Sequence, residues 1–158
     1  MVMKYEQWKK ILSAVNGEVD LNEDNVIEKI KKKLKAEDKD WYTKWEEAGF
    51  DVNYLFQVED ETLTLLHLAA CGNLGSITNA LLGMKGVNVN AVNEYGEAPL
   101  HRAACGNLGS ITNALLGMKG VNVNAVNEYG EAPLHRAADN GHKDVVEVLL
   151  RNKANVKQ

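Results

Sequence analysis

Apolar residues first recur along the chain at helical spacing. Tyr5, Trp8, Ile11, Leu12 and Val15 share one face of a helix over 3–15, and Gly17 stops it. A second helix covers 22–35, with Asn22 as its cap, Leu21 stapled onto Val26, and Val26, Ile27, Ile30 and Leu34 as its apolar side. A third spans 38–47, where Trp41 and Trp45 stand four apart on one face. That pair reads as core that seals the next unit of the chain rather than as an aromatic binding site.

The polar sides of the second helix carry Lys29, Lys31, Lys32, Lys33 and Lys35. An anionic partner is one reading of this run and a solvated face the other. Glu23, Asp24, Glu28, Glu37, Asp38 and Asp40 neutralise most of its field and favour the solvated face.

Past residue 58 the pattern becomes periodic. Ala69 to Ala104 reads AACGNLGSITNALLGMKGVNVNAVNEYGEAPLHRAA, and Ala103 to Ala138 repeats the same letters, displaced by 34 positions. A diverged third copy continues from Asp139, with Leu134, His135, Ala137 and Ala138 in the places of Leu100, His101, Ala103 and Ala104. Such a period predicts stacked supersecondary units. Asn93–Gly96 is a tight turn, with Gly96 free to take positive φ. Pro99 opens a short helix, where its missing N–H costs nothing, and Leu100, Ala103 and Ala104 form that helix's face. Gly106–Asn107 turns the chain into a second helix facing inward through Ile111 and Leu115, with Ala114 and Leu116 beside them. Gly117 and Gly120 break it before the extended stretch Val121–Asn124.

This order of pieces resembles the ankyrin repeat. The matching residues are Pro99-Leu100-His101-x-Ala103-Ala104 and Pro133-Leu134-His135-x-Ala137-Ala138, the stretch Asn140 to Leu150, and the Val-Asn-Val-Asn exits, together covering about 59–158. The tetratricopeptide repeat shares the period but has two equal helices, no Pro-Leu-His and no extended arm. The resemblance implies an all-α solenoid: an ankyrin-repeat array of helix-turn-helix units joined by β-hairpin loops, with a helical N-terminal cap. The cap covers 1–58, and the repeats cover 59–92, 93–126 and 127–158. Gly49-Phe50-Asp51-Val52-Asn53 looks like the exit of a degraded repeat, making the helices at 22–35 and 38–47 a cap built on a worn unit. Such a cap joined to Val-Asn-Val-Asn repeats is similar to ankyrin proteins of obligate intracellular bacteria.

Departures from the family pattern carry expectations of their own. Ala98 and Ala132 replace a capping threonine that Thr64 keeps. Glu59-Asp60-Glu61-Thr62 lacks the turn glycine, so the first hairpin is expected to be distorted. The identical copies carry one residue more than the usual period of about 33, near Gly117–Lys119, and Lys153 replaces the glycine of the last exit loop. The last unit lacks a polar cap, which leaves Val146, Leu149 and Leu150 partly bare and predicts a monomer with a frayed carboxy terminus or weak self-association through that repeat. Two perfect copies beside a diverged one imply a recent duplication or a deliberate insertion.

The totals narrow the partners. A formal charge of −4 gives no basic face for nucleic acid. No apolar run reaches the ~18 residues of a membrane span, and the amino terminus shows no signal core. Cys71 and Cys105 lie one period apart, beyond disulfide reach on adjacent units, which points to free thiols and a cytoplasmic setting, or a host cytosol for a bacterial source.

Candidate chemistry is sparse. His67, His101 and His135 stack in a column too widely spaced to share a metal, and the family resemblance gives them a structural role, tying hairpin to helix. Cys105 and His101 are four apart but lack an oxyanion donor or third group. Gly72–Ser76 lacks the phosphate-loop lysine, and Glu94 and Glu97 read as solvated at a turn tip. No enzyme, cofactor, catalytic residue or metal site is expected.

The resemblance instead implies a protein–protein interaction module, presenting a concave surface of hairpin tips and first-helix faces. Here those positions are Glu94, Tyr95, Glu97, Arg102 and Cys105, then Glu128, Tyr129, Glu131, Arg136, Asp139 and Asn140, with Asp60, Glu61, Leu68 and Cys71 in the first unit. Tyrosine and arginine are frequent anchors, and the acidic rim implies a protein partner with a basic or mixed surface. The alternative is an engineered or structural repeat scaffold with no native ligand.

Overall fold

A computed structural model describes residues 2–154. Three helices open the chain: α1 (Tyr5–Asn16), α2 (Val26–Glu37) and α3 (Lys39–Glu47). A hairpin of β1 (Phe56–Val58) and β2 (Glu61–Leu63) comes next. Three helix pairs complete the array: α4 (Leu65–Cys71) with α5 (Gly75–Leu82), α6 (Pro99–Cys105) with α7 (Gly109–Leu116), and α8 (Pro133–Asp139) with α9 (Lys143–Arg151). The first helices stack in the order α4, α6, α8 and the second in the order α5, α7, α9. This is the expected all-α solenoid.

Stacking is what makes these helices stable. They are 7 to 9 residues long, well below the ~12–15 at which an isolated helix holds in water. Their stability comes from burial. Leu66, Leu100 and Leu134 are 2%, 2% and 6% exposed, so the leucine seam is continuous. Ala69, Ala70, Ala103 and Ala104 are fully buried, small enough to let neighbouring helices close up.

Local chemistry sets each boundary. Thr64 caps α4, its hydroxyl accepting from the His67 amide. Ala98 and Ala132 have no capping oxygen, as expected, but His101 and His135 supply the reciprocal half of the box. Each ring Nδ1 accepts from the N-cap amide, at 3.1 and 3.0 Å. At the turn between helices Asn107 takes the left-handed conformation (φ 58°), while Gly106 stays right-handed (φ −86°).

Three expectations are corrected. Asn22 does not cap α2 directly. It opens a turn whose side-chain bonds run from Asp24 and to Asp20, and the helix starts four residues later. The first hairpin is a regular antiparallel pair, Phe56 opposite Leu63 and Val58 opposite Glu61; Glu59 absorbs the missing glycine at φ 55°. Leu149 is fully buried, so only Val146 and Leu150 of the three named carboxy-terminal residues are open.

The amino-terminal helices meet the array along several lines. Met3 bridges Val58 in parallel and thereby joins the hairpin. From there α1 packs against α4 and α5, and Asn16 Oδ1 accepts from the Ile77 amide at 3.0 Å, near the start of a helix whose own N-cap, Leu74, offers no side-chain bond. α3 reaches the hairpin through Trp41 and Trp45, which close on Phe56. The lysines of α2 are largely absorbed: Lys29 pairs with Glu18 and Asp20, Lys31 lies 3.8 Å from the Phe50 ring centroid, and Lys35 faces Tyr42. No described helix is long and apolar enough to cross a membrane.

Asn53 behaves as the exit asparagine of a repeat. Its side-chain N–H donates to Gly86 O and its oxygen accepts from the Asn88 amide, both at 2.8 Å. Asn90 makes the same two bonds at the same length to Gly120 and Asn122.

Candidate functional site

The tips, bonded to one another in succession, form one ledge with the partly exposed Arg102 and Cys105 of α6 and Arg136 and Asp139 of α8. Each tip is built by an asparagine. Asn93 Oδ1 accepts from the amides of Tyr95 and Glu97, Asn127 Oδ1 from those of Tyr129 and Glu131, and backbone bonds Asn93 N to Glu97 O and Asn127 N to Glu131 O close the loops. Gly96 sits at φ 75°, and a Cβ there would stand 3.2 Å from the Asn127 backbone, so glycine permits both the turn and the approach of the next tip.

Several expected anchors are committed inside the array. The Glu94 carboxylate accepts from the Thr62 amide and hydroxyl, and the Tyr95 carbonyl from the Glu128 amide. Glu97 is not solvated: it is 7% exposed, clasped by Arg102 at 3.0 Å and Arg136 at 2.9 Å. Arg102 also pairs with Glu61, and Arg136 with Glu131 at 3.5 Å. Acidic and basic side chains thus alternate from unit to unit. Leu68, expected on the ledge, is buried, and α1 packs against its helix.

Electrostatics follow from that packing. Burial alone raises the Glu97 carboxyl, but the guanidinium groups of Arg102 and Arg136 outweigh it and hold the acid below its ordinary 4.5. Burial pushes the Tyr5 phenol up to about 12, aided by its neighbour Cys71. Burial likewise pushes the Cys71 thiol up, against the pull of Arg102. Such a thiol is a poor nucleophile. Cys105 Sγ accepts from Arg136 at 3.3 Å and Asn140 at 3.7 Å, while the His101 ring is turned away to Glu131 O and Ala98 N. No Cys–His pair forms there, and no group able to hold a metal ion occurs among the described residues.

The last tip stays open. Tyr129 is 69% exposed, against a half-buried Tyr95, and Glu128, Asp139 and Asn140 are exposed beside it. The first tip adds an exposed Asp60. Glu128 beside it raises the pKa of the Tyr129 phenol above its ordinary value.

Truncating Glu97 tests whether the clasp matters. Glu97→Ala leaves two guanidinium groups facing each other and is expected to cost about 1–3 kcal/mol. The arginine side chains are 20% and 25% exposed, so the loss stays below the ~3–5 kcal/mol of a wholly buried pair. Glu131→Ala, which leaves Arg136 its Glu97 partner, is expected to cost less. Equal losses for the two variants in urea unfolding would refute the clasp.

Comparison with known proteins places this architecture. The family pattern described as "Ankyrin repeats (3 copies)" matches residues 48–127 and 66–158. No curated protein matches the chain. Among solved structures, the crystal structure of the human ASB11 ankyrin repeat domain is similar at 34% identity and a TM-score of 0.55, over 59% of this chain and 41% of that one. The chain therefore spans less than half of that domain.

Proposed function

The chain belongs to the ankyrin-repeat family, and from that premise we propose that it binds a protein partner along the concave ledge, toward its carboxy-terminal end. Ankyrin repeats are generally protein–protein interaction modules and not enzymes. The observation that carries the proposal is the contrast between two tips of identical sequence: Tyr95 is half-buried, its carbonyl taken by the next tip, while Tyr129 and Glu128 face solvent, with Asp139 exposed on α8. Exposed aromatic residues flanked by charge suit a protein interface. The arginines of the ledge are already neutralised by Glu61, Glu97 and Glu131. The carboxylates left exposed favour a partner with a basic or mixed surface.

A photo-crosslinking residue at position 129 tests this, with position 113, exposed on the second-helix side, as the control. Adducts are expected from 129 and not from 113, and they are expected to weaken as salt rises. The same adducts from both positions would remove the ledge from the account. The letter-identical copies support a second reading, a structural scaffold without native ligand, under which neither position yields a specific adduct.

A further inference from the structure

Two asparagines in the chain precede glycine, at Asn16–Gly17 and Asn140–Gly141. That dipeptide is chemically unstable wherever the backbone can move. Glycine has no Cβ to shield its amide nitrogen, so the nitrogen can attack the side-chain carbonyl carbon of the asparagine before it. The fold treats the two sites differently.

Asn16 ends the 12-residue α1. It is half-buried, and its Oδ1 accepts from the Ile77 amide at 3.0 Å, which holds the side chain against α5. The Gly17 amide donates to Ser13 O at 3.2 Å, and the neighbouring Val15 is fully buried. Freeing both the nitrogen and the carbonyl means peeling the end of α1 from the core.

Asn140 stands just past the 7-residue α8, and both it and Gly141 are exposed. The end of the array is not the cause, because Gly106, one period earlier and with a unit on either side, is exposed too. The Asn140 side-chain amide donates to Arg136 O at 2.7 Å and to Cys105 Sγ at 3.7 Å. The Gly141 amide donates to Ala138 O at 3.0 Å, with Gly141 at φ 70°. Only this last turn has to open for the nitrogen to reach the carbonyl, and helix ends open at far lower cost than packed helices.

We propose that Asn140 is a site of spontaneous deamidation and that the fold protects Asn16 from the same reaction. The Gly141 nitrogen bonds to Cγ of Asn140 and gives up its proton. The side-chain nitrogen leaves with that proton as ammonia, closing a cyclic imide. Water then splits one of the imide's C–N bonds. Cleavage at Cγ leaves aspartate at 140. Cleavage at the backbone carbonyl leaves isoaspartate, in which the chain runs through Cγ. Nothing is oxidised or reduced.

Either product alters the turn between α8 and α9. Aspartate sets a carboxylate against the Arg136 carbonyl, acceptor against acceptor, at the carboxy end of a helix, where negative charge is unfavourable. Isoaspartate lengthens the backbone by one atom ahead of His142, whose Nε2 donates to Cys105 O at 2.9 Å and ties the turn to the preceding unit. The site is thus a slow clock: as the chain ages, its last unit loosens. None of this depends on a partner at the ledge.

Peptide mapping by mass spectrometry tests it, after the full chain has stood for weeks in mildly alkaline buffer at body temperature. Conversion is expected at Asn140, at least about tenfold faster than at Asn16. In concentrated urea the two rates are expected to draw together, because the fold no longer shields Asn16. Asn140→Asp is expected to unfold at a lower urea midpoint than the parent. No conversion at Asn140 in the folded chain would overturn the proposal. So would equal rates at the two sites in the folded chain, or a ratio that urea leaves unchanged. An Asn140→Asp chain as stable as the parent would overturn the clock.

Discussion

Phe56→Ala is expected to cost about 3–5 kcal/mol and to unfold the amino-terminal cap ahead of the repeats. The side chain is fully buried, with the rings of Trp8, Tyr54, Trp45 and Trp41 at 4.6, 4.8, 5.6 and 6.0 Å between centroids, all of them edge to face. Edge-to-face pairs add stability beyond area burial, and stiff rings collapse poorly into a void. The loss is a large fraction of the ~5–15 kcal/mol that holds a domain. In a solenoid each unit leans only on its neighbours, so the loss is local. All three tryptophans of the chain lie in the cap. In urea, tryptophan fluorescence of the variant should therefore fall at a lower midpoint than far-ultraviolet circular dichroism, which reports every helix. Phe56→Leu refills part of the void and should recover part of the gap. Fluorescence and dichroism midpoints that stay together, close to those of the parent, would mean that Phe56 does not hold the cap.

The duplicated stretch separates what letters determine from what position determines. Gly96 and Gly130 have the same φ of 75°, Asn73 and Asn107 differ by two degrees, and Ala98 and Ala132 share ψ 165°. Turns and caps depend on a few adjacent residues, so they were legible: the Pro-Leu-His starts, the seam leucines and the exit asparagines all stand where the pattern put them. Exposure is another matter. Tyr95 is half-buried and Tyr129 exposed; Glu97 is buried and Glu131 half-open; Ala104 is buried and Ala138 exposed. Those differences come from whether another described unit packs against the position, which no local pattern encodes. Of the candidate residues, Glu94, Glu97 and Arg102 thus bond neighbouring units together, while Glu128 and Tyr129 stay exposed. One signal was available: Arg102 lies five residues after Glu97, and Glu61 precedes Glu97 by about one period, a spacing that brings charges of both signs into one column. The regular first hairpin was hidden for a different reason. The missing turn glycine predicted a distorted hairpin, and the pairing of Phe56 with Leu63 over a buried aromatic cluster keeps it regular, with Glu59 taking the positive φ.

Acid should weaken the fold through His67 between about pH 6.5 and 4. Its Nε2 faces a carbonyl, Glu97 O, and so carries the proton. Its Nδ1 then accepts from the Thr64 amide at 3.3 Å and hydroxyl at 2.8 Å. Both nitrogens are satisfied only in the neutral ring, and a second proton would set donor against donor. Burial, ahead of the counteracting bond to Glu97 O, lowers the pKa of the ring from 6.5 to about 4. Above pH 6.5 the ring is neutral in both folded and unfolded chains, and the full stability is present. As pH falls from 6.5 toward 4 the unfolded chain binds a proton that the folded chain refuses, so stability drops; below about 4 both are protonated and this contribution levels off. A shift of that size corresponds to roughly 3 kcal/mol across the window. His67→Gln keeps a donor and an acceptor but cannot titrate. It should be less stable than the parent at pH 7, and the difference should shrink or reverse by pH 4.5, with urea midpoints read at steps between. Carboxylates such as Glu97 add their own loss, but that lies below 4.5 and is common to both chains. Parallel stability curves for parent and variant from pH 7 to 4.5 would show that the ring is not the group that titrates.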